Sequence, residues 1–410
     1  MYEILVRMDV AVVRPVSACA GGSCTLALVL PAGFQRERGA AEKGLAHLVE
    51  HAVFRNVTSP GGAAQAAFDI GGEMNAYTTG DHVLYHISLP VARLRAGVRL
   101  LLDTVFSKRY DAAGVAAERK IIAEEYLVHK QDPEFMLCAE AEARCFPKGD
   151  RRVRDGLASA ADMRHQTDRH VAAFTARCYR ADAAHLVLCT SASVTAARLR
   201  GYVTECGMRV GEGSPPPPPP PPPRPLRAGH AVKQRGDSLQ SGVAVAVPLA
   251  RPAGPQGAAA RLRLRLVAFI LGGPSGLLFK AVREKHKLAY GADCSLETVD
   301  GATVVLIAHC FVTPANAARA AAVLHGVLDA FELDAAGFDV YKLNFSRELV
   351  ERDAEATAVS AAVSRLRGDR STPRETARLL AKSVGYEDVC AAARAALSVH
   401  RATVTRTGRA

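Results

Sequence analysis

Nine consecutive prolines, residues 215–223, divide this chain of 410 residues into two parts of similar length. Proline has no backbone N–H donor and a fixed φ near −65°, so such a run belongs to neither a helix interior nor a sheet. In polyproline II geometry it forms a stiff spacer of about 28 Å. We therefore predict a first domain over 1–210, a linker over 211–227 and a second domain over 228–410. Binding of the proline run to a polyproline-recognising partner stays open as an alternative to a plain linker.

Strand-like and helical stretches follow each other in the same order on both sides of this run. Before it, strand-like sequences at 25–30 and 83–89 alternate with amphipathic helical ones. After it, strand-like sequences at 241–248 and 303–311 alternate with helical ones in the same way. The recurrence predicts an α+β fold in each part and two copies of one plan.

The stretch with the most specific chemistry is His47-Leu48-Val49-Glu50-His51, within a helical sequence over 44–54. On a helix, His47 and His51 lie one turn apart on one face, so both imidazoles can bind one metal ion. Glu50 lies on the same side, where a carboxylate can act as general base toward a metal-activated water. This H-x-x-E-H order is the inverted form of the H-E-x-x-H motif of zinc peptidases. The alternative is a surface helix with scattered histidines.

A catalytic zinc ion needs a third protein ligand, and a helical sequence over 115–128 offers candidates. Glu118 and Glu125 are seven residues apart and share a face, whereas Glu124 is rotated by about 100°. We predict Glu125 as the third ligand and Glu118 as a carboxylate that orients a histidine or the ligand itself. On these grounds alone, a solvated helix surface stays an open alternative.

The order and spacing of these motifs resemble those of the pitrilysin, insulinase and mitochondrial processing peptidase metallopeptidases. In that family H-x-x-E-H is followed by E-x(6)-E after an interval like the 74 positions between His51 and Glu125 here. The segment 71–78, Gly-Gly-Glu-Met-Asn-Ala-Tyr-Thr, is similar to the family's G-G-x-x-N-A-Y/F-T. Residues 271–290 are similar to its L-G-G…R-E-K-x-x-L-A-Y.

This resemblance implies two similar α/β-sandwich domains, each a mainly antiparallel sheet packed with helices, with one Zn²⁺ per chain in the first. It implies that Asn75 and Ala76 lie on an edge strand that pairs with an extended substrate. It also implies that Arg283 and Tyr290 bind the substrate backbone or the developing oxyanion. Members of this half length work as dimers, so a homodimer or a heterodimer with a paralogue is expected.

These observations predict a zinc-dependent endopeptidase that hydrolyses extended peptides or processes a protein precursor, with Glu50 as general base. The rival hypothesis is a catalytically silent scaffold subunit of the same fold, bound to another protein. The two hypotheses differ in whether the protein cleaves peptides. His47, Glu50, His51 and Glu125 are all present, and this favours the peptidase.

Composition and charge limit the classes of partner that this protein is expected to bind. The chain is 49% hydrophobic and 23% charged, as in ordinary soluble globular proteins, and no apolar run approaches the roughly 20 residues of a membrane span. The net charge of +11 comes from basic residues spread along the chain, so nucleic-acid binding is not expected. The first residues resemble neither a signal peptide nor an Arg-rich presequence. We therefore expect a cytoplasmic protein, with an organelle as an open alternative.

Overall fold

The computed structural model describes residues 7–16, 22–56, 61–153, 156, 158–211, 231–235, 239–254, 257–273 and 275–408. The predicted linker lies outside these residues apart from Gly211. The strands are β1 (Asp9–Val13), β2 (Ser23–Leu30), β3 (Glu73–Thr78), β4 (Val83–Pro90), β5 (His185–Thr190), β6 (Ala231–Arg235), β7 (Ser241–Ala250), β8 (Ala292–Thr298), β9 (Thr303–Val312) and β10 (Ala402–Thr407). The α-helices are α1 (Leu45–Val53), α2 (Gly62–Asp69), α3 (Leu94–Phe106), α4 (Ala112–Gln131), α5 (Pro133–Arg144), α6 (Ala160–Met163), α7 (Asp168–Cys178), α8 (Ala196–Glu205), α9 (Ala258–Leu271), α10 (Leu277–Phe279), α11 (Ala317–Ala330), α12 (Ala335–Val350), α13 (Ala354–Leu366), α14 (Pro373–Ser383) and α15 (Tyr386–Leu397).

The strands form two five-stranded sheets with the same order. The first sheet runs β1-β5-β2-β4-β3 and the second runs β6-β10-β7-β9-β8, so the second repeats the first strand by strand. In each sheet one parallel pair, β1 with β5 or β6 with β10, accompanies antiparallel pairs. The prediction of an α+β fold with two similar, mainly antiparallel domains is confirmed.

Strand β2 is buried on both faces, which explains its nearly continuous apolar sequence. Successive side chains of a strand point to opposite faces. Leu26 and Leu28 enter the larger core that also contains Leu48 of α1, whereas Ala27 and Val29 enter a second core on the other face. A strand covered on both sides needs apolar residues at every position, so alternation disappears from its sequence.

One face of each sheet is covered by a helix from the opposite half of the chain. In the first sheet it is the face that carries Ala27 and Val29. Helix α13 packs on β2 and β5 of the first sheet, with Ala358 and Ala362 fully buried beside Ala27. Helix α5 packs on β7 and β10 of the second sheet through Leu137 and Ala141. A division of the chain into two consecutive domains does not describe this exchange of helices between the two halves. The described residues of the first unit come from within Met1–Leu127, Arg154–Pro218 and Leu349–Ala377, and those of the second from within Val128–Val153, Pro219–Glu348 and Arg378–Ala410.

Two helical stretches differ from their sequence interpretation. The pattern over 375–397 predicts one helix, but the chain forms α14 and α15, because Gly385 adopts an extended conformation and begins the second helix. The pattern over 275–285 predicts one α-helix, but only the three residues of α10 are α-helical, and a π-helical segment, Lys280–Lys285, follows them. Within the described ranges, every helix is too short or too polar to cross a lipid bilayer.

Candidate metal centre

Helix α1 begins at a glycine and directs its apolar face into the core of the first unit. Gly44 has φ +79°, a left-handed conformation that glycine adopts without strain. A Cβ at this position would lie 2.2 Å from the Cβ of Ala158, so the close approach also requires glycine. Leu48 is fully buried, and this orientation leaves His47 and His51 on one side, with side chains 22% and 17% exposed.

Three donor atoms face one another beside this helix: Nε2 of His47, Nε2 of His51 and Oε2 of Glu125 on α4. The two nitrogens lie 3.2 Å apart, and the Glu125 oxygen lies 3.4 Å from the first and 3.6 Å from the second. A tetrahedral zinc ion with bonds of about 2.0–2.1 Å separates its ligands by about 3.3 Å. The triangle therefore has the dimensions of one face of a zinc coordination tetrahedron, and three protein ligands are the usual number in catalytic zinc sites.

Glu50 supplies a further carboxylate, within 4.8 Å of the nearer ring nitrogens of both histidines. It is only 8% exposed, and Oγ1 of Thr78 on β3 donates a hydrogen bond of 2.7 Å to its Oε2. Burial raises the pKa of Glu50, and the charge of Glu125 adds to this, while the Thr78 hydrogen bond and His51 oppose it. The tighter triangle formed by Glu125 makes that residue the better ligand. The buried Glu50, with its raised pKa, is better suited to proton transfer.

Glu118 lies on the other side of the His51 ring. Its Oε2 lies 3.2 Å from Nδ1 of His51, and its Oε1 accepts a hydrogen bond of 3.2 Å from Nη1 of Arg55. A carboxylate that accepts Nδ1–H fixes the tautomer in which Nε2 has a free lone pair for a metal ion. Glu124, predicted to point away from this site, is exposed.

Asn75 and Ala76 lie on β3, the last strand in the order of its sheet, which pairs with β4 among the described residues. Asn75 is exposed and Ala76 is half-buried. The backbone N–H of Ala76 donates to Oδ1 of Asn75 at 2.8 Å. Among the described strands β3 pairs with β4 alone, so its other edge has the geometry that addition of an extended peptide requires, and substrate binding at these two residues stays a prediction.

A recess of about 970 Å³ opens beside the first residues of β3. Phe68 of α2 borders it with 75% of its surface exposed. Its walls are mainly apolar, so it can accept an apolar side chain. Besides Phe68, the wall residues include Ala64, Gly72, Met74, Leu89 and Pro90.

Arg283 and Tyr290 contact each other in the second unit. Nη1 of Arg283 donates to the backbone carbonyl of Tyr290 at 3.1 Å, and the guanidinium carbon lies 4.3 Å from the Tyr290 ring centroid. The Tyr290 side chain is exposed, at 86% for the residue. The structure thus brings this predicted pair together, and its part in chemistry at His47 stays a prediction.

Sequence reasoning missed two neighbours of the centre. Thr78 stands at the end of the segment that contains Asn75 and Ala76, but nothing in its spacing indicates a hydrogen bond to Glu50. Arg55 follows the metal helix by two residues, and its contact with Glu118 depends on where α4 lies. A hydroxyl or guanidinium next to a motif is a weak signal without the fold that brings the two elements together.

Comparison with known proteins places both halves in one group. A family model described as Insulinase (Peptidase family M16) matches residues 16–149, and one described as Peptidase M16 inactive domain matches residues 167–344. Together they cover about three quarters of the chain. The candidate metal centre lies in the first match, and the second copy of the fold lies largely in the other.

Three similar proteins share only 18–29% sequence identity with this chain. An uncharacterized zinc protease of Mycobacterium bovis is 29% identical over 268 residues, 64% of this chain and 59% of the relative. The chain thus spans less than two thirds of the length of the curated relatives it matches. A peptidase M16 inactive domain structure from Pseudomonas fluorescens has a TM-score of 0.80 at 18% identity, covering 98% of this chain and 95% of that one. A Helicobacter pylori protease also gives 0.80 at 18% identity, covering 97% and 96%. At these identities the two structures establish the fold alone.

Proposed function

Because the chain belongs to the insulinase family of peptidases, peptidase family M16, we propose that it is a zinc-dependent endopeptidase with its centre at His47, His51 and Glu125. The observation that carries this proposal is the triangle of donor atoms, 3.2 to 3.6 Å on each side, next to a buried glutamate. The name zinc protease, given to the mycobacterial relative, supports the same metal and reaction.

The proposed chemistry divides between the metal and the protein. When bound, a zinc ion supplies a Lewis acid that polarises a carbonyl and makes a water molecule more acidic. Helix α1 holds the two histidines in register, and Glu118 fixes the orientation of the His51 ring. Glu50 takes a proton from the attacking water and returns it to the leaving amine. Thr78 occupies one carboxylate oxygen of Glu50 and so leaves the other oxygen for this proton.

The proposed substrate is an extended peptide or a protein precursor with an extended segment. Such a segment would add to β3 at Asn75 and Ala76, along the edge that pairs with no other described strand, where backbone hydrogen bonds provide affinity with little side-chain selectivity. One apolar side chain of the same segment would enter the recess bordered by Phe68. Arg283 and Tyr290 would donate hydrogen bonds to the substrate backbone or the oxyanion, and in a dimer they could do so for the partner's centre.

The experiment measures zinc content and cleavage of a mixed peptide library for wild type, Glu50→Gln and Glu124→Gln. Glu50→Gln preserves side-chain shape and removes the base, so we expect about one zinc per chain and loss of cleavage. Glu124→Gln makes the same chemical change at an exposed position on α4 and should retain both zinc and activity. Wild type without zinc, or Glu50→Gln with full activity, would contradict the proposal.

A catalytically silent scaffold subunit is the second candidate. Residues 167–344 match a model described as an inactive domain, which fits this role and equally fits a peptidase whose centre lies in the first copy of the fold. Helix α9, which takes the place of α1 in the second copy of the fold, contains neither histidine nor glutamate. A wild-type protein that binds zinc and cleaves no peptide in the library would favour this role over the peptidase.

A further inference from the structure

Four residues, 79–82, join β3 to β4 immediately after Thr78, and polar contacts hold this 79–82 turn together. The backbone N–H of Thr79 donates to the carbonyl of His82 at 2.8 Å. Nδ1 of His82 lies 2.8 Å from Oγ1 of Thr79 and 2.6 Å from Oδ1 of Asp81. The turn is therefore organised around the Asp81 carboxylate, next to the residue that contacts Glu50.

Arg367, the residue directly after α13, binds this carboxylate through two nitrogens of its guanidinium. Nε donates to Oδ2 of Asp81 at 2.9 Å, and Nη2 donates to Oδ1 at 3.0 Å. The two side chains are only 11% and 13% exposed. Burial alone would raise the pKa of Asp81, but Arg367 and His82 hold it well below its usual range. A bidentate, charge-assisted pair in such surroundings fixes geometry strongly.

We propose that Arg367 is a positioning residue for peptide cleavage. Its two hydrogen bonds to Asp81 fix the 79–82 turn, and the turn in this position keeps Thr78 Oγ1 at the carboxylate of Glu50. This inference rests on the proposed function. The route is short: Asp81 is three residues from Thr78, whose hydroxyl lies 2.7 Å from Glu50. Displacing a catalytic group by about 1 Å can cost about a hundredfold in rate.

The same turn has a second attachment, which makes the role of Arg367 testable. The carbonyls of Thr79 and Gly80 accept hydrogen bonds of 2.9 and 2.8 Å from the backbone N–H groups of Phe34 and Gln35. If these bonds alone fixed the turn, Arg367 would stabilise the fold without affecting catalysis. Only a kinetic measurement separates these two roles.

Arg365 provides a matched control. It lies two residues earlier in α13 and makes the same fork with Asp9, at 3.0 and 3.3 Å. Asp9 is on β1, at the opposite end of the strand order from β3. Removing either arginine weakens the attachment of α13 to the first sheet, but only Arg367 contacts the 79–82 turn.

The experiment uses the full chain loaded with zinc and a peptide that wild type cleaves. Values of kcat, KM and Tm are compared for Arg367→Met, Arg365→Met and Thr78→Val, and for Thr78→Val combined with each arginine variant. We expect Arg367→Met to lower kcat by about tenfold to a hundredfold with KM within about twofold. Arg365→Met should lower Tm and leave kcat within about twofold of wild type. Adding Arg367→Met to Thr78→Val should lower kcat by less than about twofold further, because the effect passes through Thr78.

Several results would overturn the inference. One is an unchanged kcat in Arg367→Met, and another is an equal loss of kcat in both arginine variants. A third is the full loss from Arg367→Met appearing again in the Thr78→Val background. If Arg367→Met does not fold, Asp81→Asn removes the charge while keeping the shape, and the same expectations apply. Absence of cleavage by wild type would remove the proposed function itself, a failure distinct from normal cleavage with insensitive variants.

Discussion

The orientation of the His51 ring should depend on Glu118, so replacing Glu118 should weaken the affinity of the protein for zinc. Glu118 is buried and accepts from Nδ1 of the ring whose Nε2 belongs to the donor triangle. Truncation in Glu118→Ala leaves Nδ1 without this acceptor and lets the ring rotate away from the geometry that a metal ion requires. We therefore expect a weaker zinc complex with the three ligands still present.

The size of the effect follows from the lost contact. A hydrogen bond to a charged group contributes about 1.5–3 kcal/mol, and about 1.4 kcal/mol corresponds to tenfold in a dissociation constant. The Kd for zinc should therefore rise about ten- to a hundredfold, the range found when such supporting partners are removed. The Arg55 side chain is already 51% exposed, so its loss of a partner adds little. In Glu118→Gln a carbonyl acceptor remains and the charge is lost, so the rise should be smaller, about tenfold.

The assay is competition for zinc with a chromophoric chelator at fixed pH and ionic strength. Glu124→Ala serves as control, because it removes an exposed glutamate from the same helix with the same change in helix propensity as Glu118→Ala. A wild-type Kd in both Glu118→Ala and Glu124→Ala would show that His51 needs no support from Glu118. Equal weakening in both variants would assign the effect to the overall charge of α4 rather than to the hydrogen bond.

Three further predictions concern stability and assembly. Leu28→Ala removes a fully buried side chain and should lower the free energy of unfolding by about 2–5 kcal/mol, whereas Leu343→Ala, at a residue 71% exposed, should change it by less than about 0.5 kcal/mol; denaturant titration measures both. Burial alone would raise the pKa of Asp9, but its histidine and arginine partners hold it below the usual range. Its stabilising effect is therefore full above about pH 4 and is lost as pH falls toward the folded-state pKa. Asp9→Asn should cost about 3–5 kcal/mol at pH 7, and its difference from wild type should narrow between about pH 4 and 2. If Tyr290 serves the partner chain's centre, mixing inactive Glu50→Gln with Tyr290→Phe should restore part of the cleavage.

Each of these predictions has a result that contradicts it. Equal losses for the two leucine variants would mean that the packing around β2 is not the source of stability. A difference in the free energy of unfolding between Asp9→Asn and wild type that stays constant down to pH 2 would mean that the histidine and arginine partners do not lower the pKa of Asp9 in the folded protein. Mixed chains no more active than the sum of the separate variants, under conditions where they associate, would place Tyr290 in its own chain's chemistry or outside it.

The sequence located the candidate centre because helical periodicity is local. Spacings of four and seven residues determine which side chains share a face, so His47 with His51, and Glu118 with Glu125, could be paired before any fold was known. Which helix meets which is not local information, and there the resemblance to a family supplied the link. The position of Thr78 at Glu50 needed the strand order as well, and the fork from Arg367 to Asp81 needed the placement of α13.

The sequence patterns predict no helix where α5 (Pro133–Arg144) and α13 (Ala354–Leu366) lie, and for α13 the reason is physical. The buried face of α13 includes Ala358, Ala361 and Ala362, in a chain where alanine is common everywhere, so the apolar side has no contrast with its surroundings. Side chains this small allow a helix to lie close to a sheet, but they carry little hydrophobic signal in sequence. The same composition made the recurrence of strands easier to recognise than the helices that cover them.

The exchange of α5 and α13 makes each half of this chain incomplete as a separate protein. A fragment ending before the proline run would expose Ala27 and Val29, because the helix that shields them is encoded more than 300 positions later. It would also contain α5 without the strands that α5 covers. Contacts between residues so distant in the chain form late, so synthesis of the first half alone leaves one face of its sheet uncovered. Chimeras between relatives should therefore exchange α5 together with the second sheet, and α13 together with the first.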